Sequence, residues 1–167
     1  MHCTNCGRVN VPPSGPSDAD ILFVASAPTK YDVKAMKPWT GDAGRLLQTE
    51  LRRAGIIYAN CRVTNLWQHA KVKECDITNH IGFVLDEMKD RPVVILMGAD
   101  AVGYFTDEKV SEVNGLRVGP SPRLPKSIGQ AYAIFNPAIA MHDKLGEIRW
   151  GFKNIKENID ASQRFKR

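Results

Sequence analysis

The sequence has no apolar run that approaches the roughly 20 residues a membrane-spanning helix needs. Its first residues, MHCTNCGRVN, lack the apolar centre of a signal peptide. A Gly-rich phosphate loop of the P-loop or dinucleotide-binding type is missing as well. These absences argue against a membrane protein, a secreted protein and a nucleotide-dependent enzyme, and we expect the chain to be cytoplasmic.

The bulk composition is that of a globular protein. The chain has 167 residues, of which 43% are hydrophobic and 25% are charged, enough for one domain with its own core. Lys and Arg number 23 against 18 Asp and Glu, a net charge of +5. This modest excess favours a polyanionic partner such as nucleic acid. We expect a monomeric single domain over residues 1–167.

Cysteine is scarce, and its placement is informative. Four cysteines occur, Cys3, Cys6, Cys61 and Cys75, and only the first two form a CxxC pair. In a reducing compartment we expect metal ligands, cluster ligands or buried thiols rather than disulfides. The lack of a second CxxC argues against a regular zinc ribbon. An iron–sulfur cluster with scattered ligands is then an alternative to zinc.

Apolar runs alternate with helical patterns along the chain. Strands are predicted at 21–28, 61–68, 92–98 and 131–141, the last running into a turn at Asn136 and Pro137, and helices at 40–54, 76–91, 99–105 and 147–160. Residues 29–38 and 116–129 are predicted to be loops. This alternation predicts an α/β fold with three αβα layers around a four-stranded, mostly parallel sheet. Residues 1–17 form an N-terminal arm.

The binding crevice of an open parallel sheet lies beyond the carboxyl ends of its strands. Ser26, Asn65 and Asn136 come directly after the apolar runs of three predicted strands and therefore belong to this crevice. An asparagine side chain offers both a donor and an acceptor. The two asparagines therefore suggest that a polar, planar ligand is recognised through hydrogen bonds.

The segment PWTGDAGRLL, residues 38–47, opens the predicted helix at 40–54. We expect Thr40 to be the helix N-cap, and Asp42 lies in the first turn, where the helix dipole favours a negative charge. These local roles do not explain Trp39, Gly41 and Gly44. Such residues let a flat ring and a backbone approach a ligand closely.

The order of these motifs resembles that of the uracil-DNA glycosylase superfamily, in particular its iron–sulfur branches (family four, family five and the UdgX-like branch). Those enzymes carry an N-terminal CxxC, a GEAPG-like turn, a P-F-x-G-x-A-G segment, a strand ending in Asn, a P-x-V-I-x-x-L-G strand and a late H-P-S turn. The counterparts here are CTNC, ASAPTKYD, PWTGDAGRLL, VTN, PVVILMG and NPA. The resemblance covers nearly the whole chain and implies the fold of that superfamily.

The resemblance implies an enzyme that flips a pyrimidine out of DNA, holds it in a pocket and hydrolyses its N-glycosidic bond. Trp39 stands where the family has its stacking Phe, and Asn65 matches the Asn that reads the base edge. Ser26 and Ala27 occupy positions that are acidic in other branches. We expect these two small residues to contact the base.

A carboxylate for catalysis must therefore come from elsewhere. Asp42 lies in a TGD segment that one branch shares, and it is the candidate that positions water and stabilises positive charge on the sugar. Asp32, at a position usually acidic in the family, is the reserve candidate. Asn136 stands where most relatives have His, and its neutral amide would stabilise the departing base anion.

The resemblance also implies a DNA-binding face. The two glycines would let the DNA backbone approach a helix N-terminus, the two apolar residues would fill the gap left by the flipped base, and the two lysines would contact phosphates. Ordinary roles in the core or on a solvated surface stay open for these residues. They are Lys30, Gly41, Gly44, Ile139, Met141 and Lys144.

A four-iron, four-sulfur cluster bound to the N-terminal arm is a further implication. Its ligands would be Cys3, Cys6, His69 and Cys75, with His69 at the position expected for the third ligand. Cys61 lies before the second strand, and we interpret it as a core thiol, while it also stays open as an alternative to His69.

The excised base is predicted to be uracil or a C5-modified pyrimidine, such as the glucosylated hydroxymethyl bases of some phage DNAs. Ala25, Ser26 and Ala27 are small and would leave room beside C5, unless Tyr31 or Met36 folds back over the base. Uracil excision would serve repair, and excision of a phage base would serve antiviral defence. The alternative is a catalytically inactive module of the same fold that binds DNA or a protein partner.

Overall fold

A parallel sheet forms the centre of the computed structural model, which describes residues 1–164 except for the side chains of 140–142. Its strands are β1 (Ile21–Ala25), β2 (Arg62–Asn65), β3 (Val93–Met97) and β4 (Gln130–Ile134). They lie in the order β2-β1-β3-β4, and every neighbouring pair is parallel. The predicted four-stranded sheet is confirmed, and it is parallel throughout.

Helices cover both faces of this sheet. They are α1 (Lys30–Ala35), α2 (Asp42–Arg53), α3 (Ile81–Met88), α4 (Ala99–Phe105), α5 (Val110–Val113) and α6 (Leu145–Arg164). Because side chains alternate along a strand, Phe23 of β1 packs in one core with α2 and α6, and Leu22 packs in the other with α3, α4 and α5. The three-layer αβα prediction is confirmed. Among the described residues, no helix is both long enough and apolar enough to cross a membrane.

The segment before α2 differs from the prediction. Residues 29–38 were expected to be a loop but contain α1, because Thr29 and Asp32 form a reciprocal capping box at its start. The predicted N-cap role of Thr40 was wrong, since Gly41 is the N-cap of α2. The Thr40 hydroxyl instead donates to Asp32 Oδ1 at 2.9 Å.

Two further element boundaries differ from their predictions. The fourth strand ends at Ile134, because Asn136 caps a 3-10 helix over Pro137–His142 and its Oδ1 accepts the Ala138 N–H at 2.9 Å. The predicted helix at 76–91 consists of a 3-10 helix, Ile77–Asn79, followed by the short α3.

An ion pair between buried Glu50 and half-exposed Arg149 joins the helix that begins at Asp42 to the last helix. Glu50 of α2 is 2% exposed, and its Oε2 accepts from Arg149 Nε of α6 at 2.9 Å. A second contact from Arg149 to Oε1 makes the pair bidentate, which sets the orientation of one helix on the other. The pair therefore anchors the C-terminal half of α2 on α6.

Candidate functional site

A cavity of about 230 Å³ opens at the carboxyl ends of β1, β2 and β4. It brings together every residue that the sequence predicted to be catalytic or to contact the base, although these come from four separate segments. Their individual roles stay predictions. The lining residues are Ala25, Ser26, Ala27, Thr29, Tyr31, Asp32, Trp39, Gly41, Asp42, Ala43, Gly44, Asn65, Asn136 and Ala138.

Asn65 is held rigidly, yet its carboxamide is available to a ligand. It is the last residue of β2, pairs with Ala25 of β1 and is 5% exposed. Its backbone carbonyl accepts from Gln68 Nε2 at 2.8 Å. Within the described part of the chain, no hydrogen bond engages the Asn65 side chain. The amide can therefore donate to a carbonyl and accept from a ring N–H of the same ligand.

Asp32 is a buried carboxylate whose oxygens are occupied by protein donors. Thr29 donates to Oδ2 from its backbone N–H at 2.9 Å and from its hydroxyl at 3.0 Å. Thr40 donates to Oδ1 from the same two groups at 2.8 Å and 2.9 Å. An ionised carboxylate has about four acceptor sites, so Asp32 is well suited to hold the two threonine segments together.

Asp42 is the carboxylate that solvent can reach. Its side chain is 76% exposed, and it forms an ion pair with Arg45 one turn further along α2. It also lines the cavity, at the helix N-terminus where the dipole favours a negative charge. Of the two candidate acids, Asp42 has the free access to water that a general base needs.

Gly44 has a packing role that sequence reasoning missed. Trp39 adopts a left-handed backbone conformation with φ of 61°, and this places its carbonyl directly over α2. A Cβ at position 44 would lie 1.8 Å from Trp39 O. Gly44 is therefore required by the conformation of Trp39, independently of the predicted contact with DNA.

Gly44→Ala is expected to destabilise the protein by about 1–3 kcal/mol, as overpacking usually does, and to displace Trp39. Denaturant unfolding measures the first effect and tryptophan fluorescence the second. Gly103→Ala is the matched control, because nothing lies within 4 Å of the added Cβ in α4. Equal stability and fluorescence for the Gly44 variant and the parent would contradict this assignment.

Asn136 presents one defined hydrogen-bonding group. Its Oδ1 accepts the Ala138 N–H, which leaves the Nδ2 amino group as a donor. Gly98 packs against this side chain, since a Cβ there would lie 3.1 Å from Asn136 Cβ. Neutral donation to a developing anion is therefore chemically possible at this position.

Sequence reasoning missed Asp100, whose only signal was its position just after β3. Ser26 Oγ donates to Asp100 Oδ2, and Lys71 Nζ lies 3.0 Å from the same oxygen. Burial alone would raise the pKa of Asp100, but the hydrogen bonds from Ser26 and Lys71 and the Lys71 charge outweigh it and lower the pKa. Ser26 is thus fixed at the cavity wall by an ionised partner.

The predicted DNA contacts outside the cavity lining are dispersed. Lys30 is exposed, and its Nζ lies 5.2 Å from the Tyr31 ring centroid. Ile139 is half-buried and packs on the core beside α2 and α6. Lys144 pairs with Glu147 at 2.7 Å. The side chain of Met141 lies outside the described residues, and the DNA-binding roles of all four stay predictions.

A second group of side chains joins the N-terminal arm to segment 69–80. Cys3, His69, Cys75 and His80 are buried, and their donor atoms all lie within 4.8 Å of one another. Cys6 is half-buried, with its Sγ 3.2 Å from His69 Nε2. This cysteine–histidine group can hold a metal. His80 was missed, and its only signal was its position five residues after Cys75.

Both histidines of this group are oriented through their other ring nitrogen. His69 Nδ1 donates to the Ala70 carbonyl at 2.7 Å, and His80 Nδ1 lies 3.1 Å from Gln68 Oε1. Each Nε2 is therefore turned towards the thiols, an arrangement typical of metal ligands. Gln68 also bonds the Asn65 carbonyl, so the group is connected to the cavity through one side chain.

The thiols of this group differ in acidity. Burial opposes ionisation of Cys3, but backbone N–H groups of Cys6 and Asn5 and contacts with His69 and Cys75 lower its pKa to about 6. Burial, together with the neighbouring thiols, raises the pKa of Cys75 to about 11. The backbone N–H groups of Cys6 and Asn5 therefore favour the thiolate form of Cys3.

Cys61 lies in the hydrophobic core and is 2% exposed. Its Sγ donates to the Ile57 carbonyl at 3.4 Å, and burial raises its pKa to about 11. This location corresponds to the predicted core thiol, and Cys61 is not among the four residues of the cysteine–histidine group.

Comparison with known proteins agrees with this arrangement. The family model of the uracil DNA glycosylase superfamily matches residues 12–159. The chain is also 27% identical to the type-4 uracil-DNA glycosylase of Thermotoga maritima, over an alignment that covers 98% of this chain and 88% of that protein. Since the family match spans most of the chain, including all four strands and the whole cavity, the protein belongs to the uracil-DNA glycosylase superfamily and is a DNA glycosylase.

Proposed function

We propose that the protein removes uracil from DNA by hydrolysing the N-glycosidic bond. The observation that carries this proposal is the cavity lined by Asn65, Trp39 and the accessible Asp42. Trp39 is half-buried and also packs against the core, and the Asn65 amide has no hydrogen-bond partner among the described residues. The sequence similarity to a type-4 uracil-DNA glycosylase also supports this proposal. We further propose that the protein acts as a cytoplasmic monomer.

Base recognition would use two kinds of contact. A pyrimidine flipped from DNA stacks on the Trp39 ring. Stacking contributes affinity through dispersion attraction and burial of apolar surface, but it distinguishes poorly between different bases. The Asn65 amide donates to a base carbonyl and accepts the ring N–H. Because β1 and β2 fix Asn65, these bonds are pre-organised and involve little loss of side-chain freedom.

Hydrolysis then requires water on one side of the sugar and a stable leaving group on the other. The bond between base nitrogen and sugar C1′ breaks, and its electron pair leaves with the base as an anion that the Asn136 amide stabilises. Water attacks C1′, and Asp42 accepts its proton and stabilises the positive charge on the sugar. The products are the free base and an abasic site.

Tyr31 favours uracil over bases with a C5 substituent. Its side chain lines the cavity, and its Cδ2 would lie 3.6 Å from a Cβ at Gly41. A bulky ring there restricts the room beside the base. A C5-modified pyrimidine of phage DNA is the second candidate, because Ser26 and Ala27 are small and Tyr31, at 58% exposure, has space to move outward.

Excision assays on matched oligonucleotides test the proposal. Substrates carry uracil, thymine, hydroxymethylcytosine or its glucosylated form, and abasic sites are counted. Uracil release alone supports repair, and release of the glucosylated base alone supports antiviral defence. Binding to DNA with no abasic sites from any substrate would overturn the assigned activity in favour of an inactive module.

Tyr31→Ala is expected to raise thymine excision relative to uracil by about 10-fold to 200-fold, the selectivity that one methyl group provides in a packed pocket. The ratio of kcat/KM for the two substrates measures this effect. Tyr104→Ala, on the opposite face of the sheet, is the matched control. An unchanged ratio would mean that another residue excludes the C5 methyl group.

The resemblance to the iron–sulfur branches implies a four-iron, four-sulfur cluster held by Cys3, Cys6, His69 and Cys75. Three thiols and an imidazole in one place support a metal centre there. Such a centre would fasten the N-terminal arm to the body of the protein.

A further inference from the structure

The donor atoms of the cysteine–histidine group lie too close together for a four-iron, four-sulfur cluster. In such a cluster each protein ligand binds a different iron, so the inorganic core lies between the ligands and separates them. Here Cys3 Sγ lies 3.6 Å from Cys75 Sγ, and Cys75 Sγ lies 3.3 Å from His80 Nε2. Donors in contact with one another leave no room for an inorganic core.

The same distances fit one tetrahedral ion. With zinc–sulfur bonds of about 2.3 Å and zinc–nitrogen bonds of about 2.0–2.1 Å, two sulfurs stand about 3.8 Å apart, and a sulfur and a nitrogen about 3.6 Å apart. The sulfur–sulfur distance is 3.6 Å, and the two sulfur–nitrogen distances to His80 are 3.3 and 3.9 Å. The donor atom of His69 lies within 4.8 Å of the other three. We infer that Cys3, His69, Cys75 and His80 form a mononuclear zinc site.

The surroundings are those of a closed structural site. The four ligands are between 1% and 5% exposed, which leaves no open coordination position for water. Two thiolates neutralise the charge of the ion, and both imidazoles keep the second hydrogen bond that orients them. Two cysteines and two histidines are one of the usual donor sets of structural zinc sites.

The inferred zinc site obtains four ligands although the chain has only one CxxC pair. Cys3 comes from the arm, and the other three ligands come from a short segment between β2 and α3. The arm is already docked there by a bond from Val11 N to Gln68 O at 2.6 Å and one from Asn5 Nδ2 to Glu74 O at 3.1 Å. Cys6 Sγ contacts His69 Nε2 at 3.2 Å, but Cys6 does not belong to the four residues whose donor atoms all lie within 4.8 Å of one another, and we therefore treat it as a neighbour of the site.

Metal analysis of the full chain tests this inference. The protein is expressed with both iron and zinc supplied, purified without oxygen, and assayed for metals and acid-labile sulfide. About one zinc per chain without sulfide is expected. His80→Ala and Cys75→Ala should each lower zinc occupancy at least 10-fold. Cys6→Ala should retain it, as should Cys61→Ala, the matched control with a buried thiol in the core.

Three results would overturn the inference. Brown protein with about four irons and sulfide would establish the cluster instead. Stoichiometric iron without sulfide would exclude zinc. Loss of zinc in Cys6→Ala with retention in His80→Ala would show the wrong ligand set. If the ligand variants do not fold, the visible spectrum of the cobalt-substituted parent decides, because three-thiolate or octahedral coordination would contradict the proposed donors. Every readout is independent of uracil excision.

Discussion

Asp42→Asn is expected to lower the rate of base excision by about 10²-fold to 10⁴-fold, the contribution of a positioned general base. The variant keeps the size of the side chain, so the affinity for uracil-containing DNA should change little. Single-turnover excision measures the chemical step, and a binding titration measures affinity. The expected signature is slow chemistry with normal binding.

Two further variants make this prediction specific. Asp107→Asn is the matched control, because Asp107 is also exposed and paired with an arginine, Arg123, but does not line the cavity. Asp32→Asn replaces one of the two acceptor oxygens by an amino donor, which then faces the donors of one threonine. The variant should chiefly reduce stability, by about 1–3 kcal/mol. Normal excision by the Asp42 variant, with a folded but inactive Asp32 variant, would assign catalysis to Asp32.

The layers of the fold were predictable from the sequence because each strand is a dense apolar run with its own local signal. PVVILMG reads as a strand buried on both faces, and β3 is buried along its whole length. Asn65 and Asn136 were predictable as crevice residues for a related reason, since each follows such a run and parallel strands end at one edge.

Contacts between segments that are distant in the chain could not be predicted from the sequence. Thr40 has the composition of an N-cap, but the buried Asp32 carboxylate takes its hydroxyl, and a tertiary bond prevails over a local one. His80 carries no motif, and only the folding of segment 69–80 over the arm brings it to Cys3. The packing role of Gly44 was not predictable, because the left-handed backbone of Trp39 has no sequence signature. Its contact with DNA stays a prediction.

Asn65→Ala is expected to lower kcat/KM for uracil excision by roughly 30-fold to 10⁴-fold. In the variant, a carbonyl and a ring N–H of the bound base are buried without hydrogen-bond partners. Each unpaired group costs about 1–3 kcal/mol of binding free energy in the transition state. The Trp39 ring should still stack on the base, so some affinity for flipped DNA should remain.

Stability separates this loss from a folding defect. The Asn65 carboxamide has no hydrogen-bond partner among the described residues, and its backbone carbonyl keeps the bond from Gln68. The Asn65→Ala variant should therefore unfold at the parent's denaturant concentration or above it, because a polar group held ready for a ligand reduces stability in its absence. Asn60→Ala, an exposed asparagine in the 3-10 helix before β2, is the matched control and should excise uracil normally. If Asn65→Ala lost stability and activity together, Asn65 would be a structural residue of the strand end, and base recognition would have to lie elsewhere in the cavity.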